Sequence, residues 1–317
     1  MKGFYHQHSA ELNRELKHAL SKELRRSLHE KRPWRHAIIA LRQVALLLVL
    51  PFWIYHYENP LIWIPSSILL GFVVFSFSVL LHEELHLTIF RKKRPKLSAI
   101  IGFFYGAVSG LSRSQFTRWH LDHHDELGDA QGDPKRHFLS PKRNKRWLKF
   151  LYFTPALFPI YFRAAARAQA TYDPKLRHKI KKERFTVIGL HLAVLGTFYY
   201  MNPYFAVKAY IIPIFFVFPI AFAINRLGQH YVINPEKVAN WSTLMSPNWA
   251  WNWLFLFSSY HLEHHYYPSV PFYNLGRLHR ALKPYFVQQG IQSYGYLQLL
   301  KLWFRDNHKP HSGISKG

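Results

Sequence analysis

Four long apolar runs constrain the fold of this chain more than any other feature of its 317 residues. They cover residues 36–56, 60–81, 185–201 and 205–224, and the second run contains no charged residue. At a rise of about 1.5 Å per residue, helices of this length fit a hydrocarbon layer about 30 Å thick, the third being the shortest. Four such runs in two pairs are hard to bury in a soluble chain of this size. The sequence therefore predicts four transmembrane helices.

Positive charge avoids the two short connectors between paired runs. The chain has 42 Lys and Arg against 17 Asp and Glu, a net charge of +25, yet residues 57–59 and 202–204 contain no Lys or Arg. Inside the runs Arg42 and Lys208 are the only Lys or Arg residues. By the positive-inside rule, both hairpins point outward and both termini face the cytoplasm. Topology thus accounts for the basic charge, and no nucleic-acid partner is expected.

These patterns predict an all-α integral membrane protein with four transmembrane helices in two hairpins, capped by a helical cytosolic domain. A membrane domain would cover residues 36–283, and residues 284–317 would form a C-terminal cytosolic tail. Residues 1–35 would form an amphipathic cytosolic segment. Within it, Leu12, Leu16, Leu20, Leu24 and Leu28 recur at helical spacing. A helix over residues 11–28 would lie on the anionic leaflet or against the cytosolic domain.

Histidines are the main candidate metal ligands of this sequence. The chain has no cysteine, so a metal would be held by imidazole, carboxylate or amide groups. Nine of its 21 histidines fall in a tight pattern of HEELH, HLDHH, HLEHH and one isolated His after the fourth run. The candidate metal ligands are His82, His86, His120, His123, His124, His230, His261, His264 and His265.

The spacing of these histidines fits two metals. On a helix, HxxxH places both imidazoles on one face as a clamp for one metal. In HxxHH the adjacent histidines diverge by about 100° around the helix axis, so one helix can address two metals. Imidazole suits Fe, Cu, Zn and Ni. Because His82 and His230 follow the second and fourth runs on the same side, we expect all nine to converge near the cytoplasmic membrane surface.

The series HxxxH, HxxHH, HxxHH resembles that of the integral-membrane fatty acid desaturase superfamily, and the resemblance covers residues 36–283. The third motif continues as YHLEHHYYPSVPFYNLGRLH, which is similar to the family's usual sequence at that place. The first motif has three residues between its histidines, as in acyl-lipid desaturases and related hydroxylases. Members of the family with a defined tenth ligand position carry Asn four residues before the isolated His. Arg226 stands there in this chain, which leaves Asn225 as the candidate water-mediated ligand.

The resemblance implies a non-haem di-iron centre that uses O2 and two external electrons to introduce a double bond into a lipid-linked fatty acyl chain. An apolar slot would hold that chain, and a ferredoxin or small cytochrome would supply the electrons. An alternative on the same site is a hydroxylase or ketolase of a hydrocarbon lipid, such as an alkane, a carotenoid or a sphingolipid. From another class, the clusters could belong to a metal carrier or sensor.

Carboxylates beside the motifs have two interpretations. Glu83, Glu84, Asp122, Asp125 and Glu263 could accept hydrogen bonds from ligand N–H groups, or they could be solvated or salt-bridged acids. Asp129 and Asp133, in the segment GDAQGDP, are expected to form the loop.

Overall fold

A computed structural model describes residues 3–314, and most of them are helical. The helices are α1 (Phe4–His8), α2 (Ala10–Ala19), α3 (Lys22–Leu28), α4 (Pro33–His56), α5 (Pro60–Leu85), α6 (Pro95–Val108), α7 (Arg113–Asp125), α8 (Arg146–Leu151), α9 (Leu157–Gln169), α10 (Pro174–Met201), α11 (Pro203–Ala206), α12 (Phe218–His230), α13 (Trp249–Leu254), α14 (His261–Tyr266), α15 (Phe272–Gln288) and α16 (Tyr296–Phe304). Two π-helical segments, Lys135–Leu139 and Val207–Val217, and one 3-10 turn, Val238–Asn240, complete the helical part. The strands β1 (Leu244–Met245) and β2 (Ser293–Tyr294) pair in parallel.

The chain divides into two compact units. One, here called the span unit, comprises Arg32–Arg118 and Tyr152–Phe222. The other, here called the histidine unit, comprises residues 3–31, Trp119–Leu151 and residues 223–314.

Within residues 3–314, three helical stretches are long and apolar enough to cross a membrane. They are Lys22–His56, Pro60–Leu85 and Pro203–His230, and they include the first, second and fourth apolar runs of the sequence. The third run lies in α10, whose first half is rich in Lys and Arg. The all-α class is confirmed, while the count of four spans in two hairpins stays a prediction.

An Asn-Pro pair stands at the start of the helix after each short connector of the span unit. The side-chain oxygen of Asn59 accepts a hydrogen bond from the backbone N–H of Leu61 at 3.0 Å, and that of Asn202 accepts one from Tyr204 at 2.8 Å. The following prolines, Pro60 and Pro203, occupy the first turn of the next helix, where a missing N–H costs nothing. Each connector therefore starts its second helix with a side-chain cap.

Helix α5 forms the centre of the span unit. It packs against α4, α6 and the π-helical segment Val207–Val217. Its residues Phe77, Leu80 and Leu81 are fully buried. By contrast, α4 and α10 leave large apolar side chains exposed, among them Leu48 and Leu192. Exposed apolar side chains on long helices are expected where lipid replaces water as the solvent.

The N-terminal leucines cover the histidine unit. Leu12, Leu16, Leu20 and Leu28 are all buried, and Tyr267 donates a hydrogen bond to the Leu16 carbonyl at 3.0 Å. Of the two placements expected for this segment, the structure has the one against the protein. The prediction of one continuous helix over residues 11–28 is wrong. The chain breaks at Ser21, whose hydroxyl caps α3 by accepting a hydrogen bond from the backbone N–H of Leu24 at 3.2 Å.

Candidate metal centre

Three helices carry seven of the nine candidate ligands, all on parts of these helices that belong to the histidine unit. Helix α7 carries the HLDHH motif, α14 carries HLEHH, and α12 ends at His230. Every residue of the short helix α14 is buried. Burial of a helix with three imidazoles and a carboxylate is costly unless those groups have partners.

Four imidazoles meet through their Nε2 atoms, and we call them the first set. The Nε2 of His230 lies 3.0 Å from that of His123, 2.9 Å from that of His261 and 3.2 Å from that of His265. His261 and His265 approach each other at 3.1 Å between the same atoms. All four residues are buried and could hold one metal ion.

His120, His124 and His264 form the second set in this unit. The Nε2 atoms of His124 and His264 are 3.1 Å apart, and the rings of His120 and His124 are centred 4.6 Å apart. The two HxxHH motifs contribute reciprocally: α7 gives two histidines to the second set and one to the first, whereas α14 gives two to the first and one to the second. Adjacent histidines therefore separate into different sets, as the helical geometry predicts.

The donor chemistry of the first set fits a bound metal. The Nδ1 of His230 lies 3.0 Å from the Trp241 carbonyl oxygen. Because a carbonyl can only accept, this nitrogen carries the ring proton, and the Nε2 of His230 presents a lone pair to three other imidazoles. Neighbouring ligands at right angles with metal–nitrogen bonds of about 2.1 Å are about 3.0 Å apart. One cation would therefore satisfy all four nitrogens at the separations observed.

Asp133 is a site residue that sequence analysis did not identify. One of its oxygens accepts a hydrogen bond from the backbone N–H of Lys135 at 2.9 Å, which is the expected loop-forming role. The other lies 2.9 Å from the Nδ1 of His123. Burial raises the pKa of Asp133, and the positive charge of neighbouring groups opposes that rise. Carboxylates in contact with the second ring nitrogen of a ligand fix its tautomer and orientation.

Lys135 adds a second contact of this kind. Its Nζ lies 2.8 Å from the Nδ1 of His120. Desolvation by burial, aided by the charge of Arg226, lowers the pKa of Lys135 to about 7. A neutral amine can accept the Nδ1 proton of His120, and the Nε2 of that ring then carries the lone pair that a metal requires. No sequence signal singled out this lysine among 42 basic residues.

Burial keeps two of the three histidines of α14 neutral. It lowers the pKa of His261 and of His265 well below the ordinary value, and the nearby imidazoles lower both further. Neutral imidazole is the form that binds metal, so these residues need no deprotonation at physiological pH.

The remaining two candidate ligands, His82 and His86, belong to the span unit. Their rings are centred 4.7 Å apart at the end of α5, the arrangement expected for HxxxH. Beside them, Glu83 accepts a hydrogen bond from Thr88 at 2.7 Å, and Glu84 forms a two-point ion pair with Arg113 at 2.7 and 3.0 Å. Glu84 therefore follows the salt-bridge interpretation.

The other polar candidates have varied surroundings. Asn225 donates to Ser258 at 2.5 Å and accepts from Gln229 at 2.8 Å, which leaves one lone pair on its amide oxygen for a water molecule. Glu263 contacts His279, which belongs to none of the motifs. Asp125 lies 3.8 Å from exposed His6, and Asp122 is partly buried on α7.

A mostly helical fold, three stretches apolar enough to span a membrane and two sets of converging imidazoles are typical of a membrane protein with histidine groups that could bind metal. The family follows from sequence comparison, because the profile of the fatty acid desaturase family matches residues 58–295. The chain belongs to the fatty acid desaturase family, and it is an oxidoreductase of the desaturase type.

Curated relatives include two kinds of lipid desaturase. A sphingolipid delta(4)-desaturase/C4-monooxygenase of Bos taurus is 24% identical over 262 residues, which cover 78% of this chain and 73% of the relative. A chloroplastic omega-3 fatty acid desaturase of Glycine max is 24% identical over 282 residues, covering 81% of this chain and 62% of the relative. An sn-2 acyl-lipid omega-3 desaturase (ferredoxin) of Helianthus annuus is 25% identical over 280 residues, covering 80% and 63%. The chain thus matches less than two thirds of the length of the two plant relatives.

Proposed function

We propose that this protein introduces a double bond into the acyl chain of a membrane lipid. In the balanced reaction, two adjacent methylenes lose one hydrogen each. One O2, two electrons and two protons are consumed, and the products are an alkene and two waters. The observation that carries the proposal is the reciprocal division of the two HxxHH motifs between two imidazole sets, because it provides ligands for two metals.

The proposed cofactor is a pair of irons held by the nine histidines. His123, His230, His261 and His265 would hold one iron, and His120, His124 and His264 would contribute to the other. His82 and His86 complete the nine proposed ligands. Imidazole ligands suit iron, and bound iron would activate O2 for the oxidation of an unactivated methylene. Asn225 would bind through a water molecule. Glu83, Asp122, Asp125 and Glu263 remain proposed partners of ligand N–H groups.

The protein's own residues would orient the ligands and exclude water. The Trp241 carbonyl fixes the proton of His230 on Nδ1. Asp133, 2.9 Å from the Nδ1 of His123, would do the same for that ring. Complete burial of α14 keeps bulk water from the first set. Exclusion of water protects a reactive oxidant from side reactions and keeps the ligand geometry fixed.

For topology, we propose four transmembrane helices in two hairpins, with both termini and the histidine motifs on the cytoplasmic side. The positive-inside rule supports this orientation, because neither short connector contains Lys or Arg. Cysteine-accessibility labelling of a chain with single cysteines at Glu58 or Lys237 would test it. Labelling of residue 58 from the outside and residue 237 from the inside is expected, and the reverse pattern would contradict it.

We propose a ferredoxin or small cytochrome as the electron donor. The relative from Helianthus annuus is named as a ferredoxin enzyme, and the basic charge of this chain would attract an acidic donor. Turnover that falls with rising salt, at fixed lipid composition, would support electrostatic docking. Salt-independent turnover would argue against it.

Hydroxylation of a hydrocarbon lipid is the second candidate function. The name of the Bos taurus relative includes a C4-monooxygenase, so a similar chain is associated with oxygen insertion. The same site could serve both reactions, because they share the first hydrogen abstraction and differ only in the second step, which either removes another hydrogen or inserts oxygen.

Mass spectrometry of lipids from a host expressing the chain tests the proposal. Loss of two hydrogens from acyl chains indicates desaturation, and gain of one oxygen indicates hydroxylation. A His120→Ala variant should abolish the change, whereas His178→Ala, on an exposed part of α10, should keep it. Purified protein should contain about two irons. Reversible zinc binding without oxygen consumption would favour a metal carrier and contradict both oxidations.

A further inference from the structure

A separate apolar cavity lies within the span unit. Its volume is about 320 Å³. Residues of α5, α9, α10 and α12 line it, together with the π-helical segment Val207–Val217 and the turn that precedes α7. Aromatic rings form one wall, where Phe158 stacks with Phe218 and Phe222 meets Tyr161 edge to face. No residue of this wall belongs to the nine candidate ligands.

Most polar side chains of the cavity wall are already satisfied by the protein. Ser78 and Ser109 each donate a hydrogen bond to a backbone carbonyl of their own helix, at 2.7 and 2.9 Å. His191 has its Nε2 at 2.8 Å from the Ala107 carbonyl and its Nδ1 at 2.8 Å from the Tyr210 hydroxyl. The carbonyl requires a proton on Nε2, so Tyr210 donates to Nδ1. The wall therefore offers little to a charged or strongly polar ligand.

Exposure along the wall runs from buried to open. Leu157 and Val187 are 2% and 3% exposed, whereas Ile188 and Leu192 are 46% and 62% exposed. The open side lies on α10, whose surface there is apolar. An apolar surface of this kind on a membrane protein is covered by lipid tails, so the molecules that reach the opening are hydrocarbon chains.

We propose that this cavity binds a single alkyl chain of a membrane lipid, which enters between the exposed side chains of α10 and extends inward to Leu157 and Val187. Apolar cavities remain dry, and one of about 150 Å³ is enough for benzene, so this volume suits a chain segment of about a dozen carbons. The burial of methylenes against the aromatic wall would stabilise the chain by dispersion. This site rests on the proposed membrane placement of residues 185–201, but it does not rest on the proposed oxidation, because no metal ligand contributes to it.

Photo-crosslinking in proteoliposomes tests the proposal. The probe is phosphatidylcholine with a diazirine near the middle of one acyl chain, and a second preparation carries the diazirine on the headgroup. Bulk lipid reaches only exposed side chains, so the informative products are those on buried Val74, Leu157 and Val187. We expect label on these residues from the chain probe and none from the headgroup probe.

Two exposed leucines of α10 provide a matched pair of variants. Leu192 lines the cavity opening, whereas Leu190 is also exposed but lies outside the lining. Leu192→Trp should reduce label on the buried residues several-fold, and Leu190→Trp should leave it unchanged. Leu195→Trp changes a second lining position. It covers the case in which the Trp at position 192 points away from the cavity. Absence of label on the buried residues in the native protein, or undiminished label in both lining variants, would overturn the proposal.

The metal site supplies an independent control. In a His230→Ala protein the buried residues should still be labelled, because the cavity contains no metal ligand. Labelling that is lost together with iron would show that the chain site depends on the metal centre, and it would contradict the proposal. Labelling of the buried residues in a native, iron-containing protein that oxidises no lipid would leave the chain site intact while refuting the proposed function.

Discussion

His191 in the span unit and His230 in the histidine unit both lie on long helices, yet their ring nitrogens have different partners. His191 is satisfied by a backbone carbonyl and a tyrosine hydroxyl. His230 uses one nitrogen for a backbone carbonyl and directs the other at three imidazoles. One histidine therefore closes a hydrogen-bond network within the protein, whereas the other leaves its lone pair for an ion.

The same difference separates the two units more widely. In the span unit, polar side chains pair with each other: Glu84 binds Arg113, and Glu183 accepts three hydrogen bonds from Ser112 and Ser114 at 2.6–2.8 Å. In the histidine unit, Asp133 and Lys135 contact the far side of candidate ligands. These polar groups thus pair with each other in the span unit and contact candidate ligands in the histidine unit.

The largest expected effect is the loss of metal and activity on His230→Ala. This change removes the nitrogen that contacts all other members of the first set, so iron content should fall by about half and acyl oxidation to background. His191→Ala should leave iron content unchanged. It should lower stability, because the Ala107 carbonyl and the Tyr210 hydroxyl lose their hydrogen-bond partner. Elemental analysis of both purified variants checks the contrast. Equal iron loss in the two would erase the distinction between the histidines.

Breaking the Glu84–Arg113 pair should give the next largest effect, this time on stability. Glu84 is 1% exposed, and Glu84→Gln leaves Arg113 without its charged partner. Removal of one member of a buried ion pair typically costs about 3–5 kcal/mol. Denaturant titration in mixed micelles measures the change, and Glu58→Gln in the exposed connector is the control. A cost equal to that of the control would mean that the pair adds nothing to the span unit.

Local periodicity explains how much of these two regions could be predicted from the sequence. The division of His123 from His124, and of His264 from His265, follows from the angle between adjacent residues on a helix, so spacing alone anticipated two sets. Asp133 and Lys135 were missed because a loop brings them back to α7, and no periodic pattern marks such a return. Likewise, leucine spacing predicted the buried face of α2 and α3, but not the break at Ser21, which depends on a local side-chain cap.

A moderate effect on metal affinity is expected from Asp133→Asn. An amide keeps an acceptor for the Lys135 backbone N–H but loses the charge beside the Nδ1 of His123. Loss of such partners typically weakens metal binding about 10–100-fold. Iron retention during chelator titration measures it, and Asp129→Asn, in the same loop, serves as the matched control. If both variants release iron at the native chelator concentration, Asp133 acts only as a loop former.

The smallest effect on stability should come from the helix caps of the span unit, where a side chain accepts hydrogen bonds from neighbouring backbone N–H groups. Asn202 accepts from the backbone N–H groups of Tyr204 and Phe205 at 2.8 and 3.3 Å. Asn202→Ala removes both bonds and should lower the free energy of unfolding by about 1 kcal/mol. Asn202→Asp keeps an acceptor oxygen and should therefore retain most of the stabilisation by the cap. Iron content should not change in either variant, since this polar group contacts no candidate ligand. Iron loss in the Asn202→Ala protein, without global unfolding, would show that the span unit controls the metal site through its helix positions, and polar groups of both units would then serve the binding site.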